Sequence, residues 1–333
     1  MDPGYALERG LKLGVSNLEL VVVTWAAGLA TGLLVVVPIV GLALGAAAFL
    51  VPAVQDTSGL EGFLLASDLM LQHWVVVLGA VLLATAWIGL VLFFYLFLQA
   101  GVTGCVVKAH RAAPAADRSL KPRFGASRAF KAFSLGLLWE QSRAHGWRVT
   151  MVATAYSVAG TLVLFLYGLW VLGCVRLGMT GHPQMVVAII AGIFGLFPVV
   201  LVLILLSVHY RLAMVCAVQR ACGWREAIGA ANGILRARFL PFLAVMGGAI
   251  AAQYILAMAF LLISLPFLAL SLLPLVGLLA LIPRLLLTLV QSLLSTVLRV
   301  ALIGALAAVC EPVGEDGAGE KAAHGPEGST SVP

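Results

Sequence analysis

Apolar residues in this chain gather into six long blocks, at roughly 18–52, 74–107, 148–175, 184–213, 241–268 and 283–309. About 20 apolar residues in a helix cross the hydrocarbon core of a bilayer. The pattern therefore predicts an all-α polytopic membrane protein with six transmembrane helices in one membrane domain, residues 1–310. Several blocks exceed the minimum, which predicts tilt or projection beyond the bilayer. Pro38 and Pro198 fall inside the first and fourth blocks as expected kink sites. GLATG (Gly28, Gly32) and GLALG (Gly41, Gly45) set small residues four apart, a pattern that lets helices approach closely in lipid.

A second pattern has helical period. Short amphipathic stretches at about 4–17, 127–146 and 223–238 each precede an odd-numbered block. Leu7, Leu11, Val15 and Leu18 share one face of the first; Phe130, Phe133 and Leu137 recur likewise in the second; Trp224, Ile228, Ala231, Leu235 and Phe239 do so in the third. Basic, aromatic-bearing helices of this kind lie flat at the headgroup level. The stretches also share a glycine (Gly10, Gly136, Gly229), repeated four residues later in two of them (Gly14, Gly233). The architecture expected is three repeats, each an interfacial helix followed by a membrane hairpin.

Charge fixes the expected orientation. The connection after the first block carries Asp56, Glu61 and Asp68 and no Lys or Arg, whereas the next carries nine basic residues from Lys108 to Arg148. The fourth connection adds Arg211, Arg220, Arg225, Arg236 and Arg238. By the positive-inside rule both termini and both basic loops face the cytoplasm. The net charge of +6 then reports attraction to anionic lipid and not to nucleic acid. Residues 311–333, rich in Gly, Pro and Glu, read as a disordered acidic cytoplasmic tail.

The stretch AMVCAVQRACGWREAIGAANGILRARFLPFLAVM resembles a signature of six-helix bacterial proteins related to the membrane domain of glycerophosphodiester phosphodiesterases. The matching residues are Arg220, Gly223, Trp224, Glu226, Ala227, Ile228, Leu235, Arg236 and Phe239. In that group the phosphodiesterase is a separate soluble barrel, which this sequence lacks. The resemblance implies a membrane module of the bacterial inner membrane, and not the hydrolase.

Catalytic chemistry has little to stand on. The five cysteines have neither CxxC nor Cys/His ligand spacing, and the six histidines are scattered. No phosphate-binding glycine loop, nucleophile elbow or zinc-protease motif occurs. No enzyme, metal or cofactor is expected.

One block is unlike the others. In RLLLTLVQSLLSTVLR, at 100° per residue, Arg284, Thr288, Gln291, Ser292, Ser295, Thr296 and Arg299 occupy under half the helix circumference. Arg284 follows Pro283 and can reach the outer surface. Arg299 lies eleven residues before Cys310, about 16 Å of helix from an inner boundary placed there. An arginine inside a membrane marks a site or a pair. Three roles fit the stripe: hydrogen-bond glue between helices with Glu19 or helix carbonyls on Arg299, a phosphate site for lipid, or the lining of a solute or ion pathway. Against a pathway stands the thin supply of polar residues on the other helices.

The sequence thus points to a non-catalytic module that engages anionic membrane lipid, or recruits a partner protein, through its basic cytoplasmic face. Arg128, Lys131, Trp147, Arg220, Trp224, Arg225, Arg236 and Arg238 are the candidate interfacial lipid contacts. The alternative is a small-solute or ion transporter or channel subunit using the stripe. Neither a partner protein nor an oligomeric state is specified.

Overall fold

The structure, a computed structural model, describes residues 2–54, 68, 71–112, 133–178, 182–270 and 274–311. These form eight helices and no strand: α1 (Pro3–Ser16), α2 (Leu18–Val54), α3 (Trp74–Ala112), α4 (Leu135–Gly178), α5 (His182–Gln219), α6 (Trp224–Ala237), α7 (Phe239–Leu270) and α8 (Pro274–Val309). Six of them are long and apolar enough to cross a membrane. Phe194 and Phe197 are each 73 % exposed, as are many Leu, Val and Ile along the same helices. Apolar surface on that scale is stable only against lipid, so the chain is a multi-pass membrane protein.

Local chemistry sets where the helices start and break. The Asp2 carboxylate accepts the Gly4 amide at 2.9 Å and Pro3 opens α1, since its missing N–H is an orphan position anyway. α1 stops at Asn17 (φ −112°, ψ 47°), whose amide and side-chain NH2 both donate to the Leu13 carbonyl. α6 stops in the same way at Arg238 (φ −132°, ψ 40°), whose amide donates to the Ile234 carbonyl. Each is a 14-residue helix joined to a long one through a single residue.

The second amphipathic stretch departs from the expected plan. From Leu135 it runs without a break into the membrane as the 44-residue α4, about 66 Å long, more than a bilayer with its headgroups needs. No residue like Asn17 or Arg238 interrupts it, so it is not a separate interfacial helix.

The three units close into a ring. α2 packs on α3, α4 on α5 and α7 on α8 as hairpins, and the three second helices α3, α5 and α8 all touch one another. Each amphipathic segment packs on the second helix of the preceding unit: α4 on α3, α6 on α5, and α1 on α8. Buried runs begin at Ala100, Leu212 and Val300 on these helices, at the end of the bundle where both termini lie.

Small residues make this layer possible. A Cβ on Gly10 would lie 2.2 Å from the Ala301 carbonyl oxygen, and one on Gly101 would lie 2.1 Å from Ser142 Oγ. Gly10 of unit 1 and Ser142 of unit 2 therefore hold the same place, each against the residue two past the corresponding point on its partner. The buried faces agree: Ala6 and Gly10 of α1 match Leu138 and Ser142 of α4 and Ala227 and Ala231 of α6. This register replaces the one based on Gly136, Gly229 and Gly233, which face open space. Gly28, Gly32, Gly41 and Gly45 likewise meet no neighbour within 4 Å. Glycine spacing alone does not say which face finds a partner.

Arginines close the ends of the second helices, where partly negative carbonyls collect. Arg9 donates to the His110 carbonyl at 2.8 Å, Arg111 to the Gln219 carbonyl, and Arg238 to the Val309 carbonyl at 2.6 Å. Arg9 Nε also donates to His110 Nδ1 at 3.0 Å, which leaves the imidazole proton on Nε2, directed at Glu311 Oε1 2.7 Å away. Glu311, first residue of the expected tail, is thus anchored; residues 312–333 lie outside the described residues.

The His110 hydrogen bond holds the Glu311 carboxyl below its ordinary value of 4.5, against the opposing effect of partial burial. A depressed carboxyl stabilises the fold above its ordinary value, and that contribution disappears as pH falls through the lowered one. Glu311 is about half exposed, so solvent screening keeps the effect small. In melting curves from pH 7 to pH 3, Glu311→Gln should lose part of the acid-side decline. An unchanged acid limb would show that the carboxylate contributes nothing.

Candidate functional site

The polar face of α8 lines a cavity of about 460 Å³. Thr288, Gln291, Ser292, Ser295, Thr296 and Arg299 form one wall. Thr24, Trp25, Gly28 and Leu29 of α2 face them, and Tyr95 of α3 completes the lining. Arg284, 15 residues before Arg299 or about 22 Å along the helix, is exposed and does not reach it.

Three threonine hydroxyls bond within their own helices. Thr288 Oγ1 donates to the Arg284 carbonyl, Thr296 Oγ1 to the Ser292 carbonyl and Thr24 Oγ1 to the Leu20 carbonyl, at 2.9, 2.9 and 2.7 Å. These satisfy themselves on their own helices, as hydroxyl residues in apolar helices commonly do. Trp25 Nε1 is different: it is buried and has no acceptor among the described residues. An indole N–H can only donate, so this donor is left unsatisfied beside the cavity.

Arg299 also lacks a partner. Among the described residues no ion pair or hydrogen bond involves it. Neither Glu19 nor a helix carbonyl satisfies it. Its side chain is exposed into the cavity mouth. A guanidinium with five donors, an indole donor and the Gln291 amide make a site for an acceptor-rich anion such as phosphate.

Arg299 also lies beside the α1–α8 contact. α1 crosses α8 at Val297, Ala301 and Ala305, and α1 carries Arg9, Lys12 and Glu8, the last two ion-paired at 2.9 Å. Residues from Val300 onward are buried in this packed layer. Arg299 stands at its edge, where the exposed apolar bundle begins.

The basic residues singled out in the sequence have several fates. Arg238 is committed to the end of α8. Arg225 stacks over the Trp224 ring at 5.0 Å, and Arg220, Arg236 and Trp147 are exposed. Arg128 and Lys131 lie outside the described residues. Thr24, Trp25 and Tyr95 were not legible as site residues, because the few polar groups of α2 and α3 show no helical period.

Two further cavities occupy corresponding places in the ring. One of about 680 Å³ lies between α3 and α4, where Thr150, Thr154, Ser157 and Thr161 add hydroxyls but no charge. The other, of about 340 Å³, lies between α5 and α7 and contains Arg211, Ser207 and Gln253. Among the described residues no group of three His, Cys, Asp or Glu could hold a metal ion. No family model, curated protein or solved structure matches the chain.

Proposed function

We propose that this protein is a non-catalytic membrane module that holds an anionic phospholipid by its headgroup, with Arg299 on the phosphate. The observation that carries this reading is the unpaired Arg299 at the mouth of a polar cavity whose buried Trp25 N–H also lacks an acceptor. Phosphate supplies acceptors for the Arg299 guanidinium, and the acyl chains run along apolar surface toward the bilayer centre. The loop charges support an orientation with both termini in the cytoplasm, in a bacterial inner membrane, which gives Arg299 the inner leaflet. The resemblance of residues 213–246 to the membrane part of phosphodiesterases fits a module without a hydrolase. The exposed Arg220, Arg225 and Arg236 form a basic face for further lipid or for a partner protein.

Lipid extraction after mild-detergent purification tests this. Wild-type protein is expected to retain anionic phospholipid, and Arg299→Gln to retain roughly tenfold less, the equivalent of a charge-assisted hydrogen bond of about 1.5 kcal/mol. Equal retention by the variant, with melting unchanged, would remove Arg299 from any lipid site.

The same cavity supports a second reading, a solute or ion pathway, because Gln291 and Ser295 face polar residues of α2 and α3. Single cysteines at 288, 291, 292 and 295 discriminate: a pathway predicts labelling by aqueous thiol reagents at all four. A lipid site predicts labelling confined to 292 and 295, nearest Arg299, and blocked by added anionic lipid.

A further inference from the structure

The ring places two arginines at one and the same position. The residue immediately before the buried run is Gln99 on α3, Arg211 on α5 and Arg299 on α8. The glycine contacts fix the register of α3 and α8 independently; that of α5 rests on its buried run. Gly101 lies two residues past Gln99 and meets Ser142; Ala301 lies two past Arg299 and meets Gly10, the counterpart of Ser142. α5 and α8 touch, so the two like charges stand on neighbouring helices.

Arg211 sits in its groove as Arg299 sits in its own. Each groove lies between the second helix of one unit and the first membrane helix of the next: α8 with α2, and α5 with α7. In each, the arginine lies at the end nearest the packed layer. Beyond Arg211 the walls are Val200, Leu203, Ile204 and Ile250, an apolar track suited to acyl chain. Like Arg299, Arg211 has no hydrogen bond or ion pair among the described residues. Two uncompensated like charges on touching helices at the edge of a membrane are unfavourable unless anions neutralise both.

We propose that Arg211 and Arg299 are two arms of one site, and that its ligand is a single lipid bearing two phosphate groups, one seated in each groove. The inference rests on the lipid reading of Arg299 and adds its stoichiometry and class: a diphosphatidyl lipid, in which a glycerol links two phosphatidyl groups. One such molecule neutralises both guanidinium groups, and its linked headgroups give the second phosphate a high local concentration once the first is bound. Lipids with one phosphate lack that advantage.

The test is native mass spectrometry of the full chain, stripped of lipid in detergent and titrated with tetraoleoyl diphosphatidylglycerol or dioleoyl phosphatidylglycerol. Wild type is expected to bind one diphosphatidyl lipid, with at least about tenfold preference over the monophosphate lipid at equal phosphate. Arg211→Gln and Arg299→Gln should each abolish that preference. Glutamine is the residue that unit 1 already carries at this position, Gln99, so the fold has a precedent for it. A wild type that takes two monophosphate lipids as tightly as one diphosphatidyl lipid overturns the proposal without any variant. If Arg299→Gln loses lipid while Arg211→Gln keeps the full preference, the two-armed site fails and the single site at Arg299 stands. If neither variant weakens binding of any anionic lipid, both readings fail.

Discussion

Replacing Gly10 by alanine should destabilise the protein, although alanine is the better helix former. The added methyl would lie 2.2 Å from the Ala301 carbonyl oxygen and 2.9 Å from the Ala305 amide nitrogen. Both are backbone atoms, which cannot turn aside as a side-chain end would, so α1 must lift off α8. Overpacking of this kind costs about 1–3 kcal/mol, more than the ~1 kcal/mol of helix propensity that alanine returns. The control is Gly229→Ala on α6, where the methyl would meet nothing within 4 Å. Propensity alone then acts, and stability should rise by about 0.5–1 kcal/mol. Chemical denaturation in detergent micelles reads both. Two substitutions of identical chemistry with opposite signs would establish the register of α1 on α8; two of the same sign would contradict it.

The second large effect concerns His110, whose side chain is fully buried between a cation and a carboxylate. Leucine at this position would keep the volume roughly and the backbone bond from Arg9 to residue 110. It would remove the bonds on both ring nitrogens. Hydrogen bonds to charged groups are worth about 1.5–3 kcal/mol each, and the Arg9 bond is the more sheltered. The expected loss for His110→Leu is therefore about 2–3 kcal/mol. A double-mutant cycle with Glu311→Gln should reveal coupling above about 0.5 kcal/mol. Strict additivity would mean that His110 is held by shape alone and that the carboxylate is incidental.

How legible was all this beforehand? The spans were, because hydrophobic length is a property of each segment taken alone, and all six blocks lie within helices of the structure. The existence of three units was also legible, from amphipathic stretches set before alternate blocks. Their register was not. Gly10, Gly136 and Gly229 look equivalent in a list of glycines, but equivalence is decided by which atoms meet across helices, and that set Gly10 beside Ser142 and Ala231. The continuity of α4 was hidden for a related reason: nothing in the residues near 146 demands a helix break, and nothing there forbids one. The polar stripe of α8 could be read from angular position alone. The cavity it lines could not, since Thr24, Trp25 and Tyr95 come from two other helices and show no period of their own. The packing of α1 over the residues that follow Arg299 was not legible, because hydropathy does not distinguish apolar side chains packed under another helix from those facing lipid.

The ring has a direction in time. α1 is synthesised before α8, yet the surface that receives Gly10 and Gly14 lies on α8, at Val297–Ala305. At about 5–20 residues per second, roughly 15 s to 1 min of translation separates the two. During that interval α4 can dock on α3 and α6 on α5, each on a helix made before it, but α1 has no seat. Of the three joints, that of α1 closes last, so a nascent chain halted before α8 would hold two joints of the ring and leave the third open.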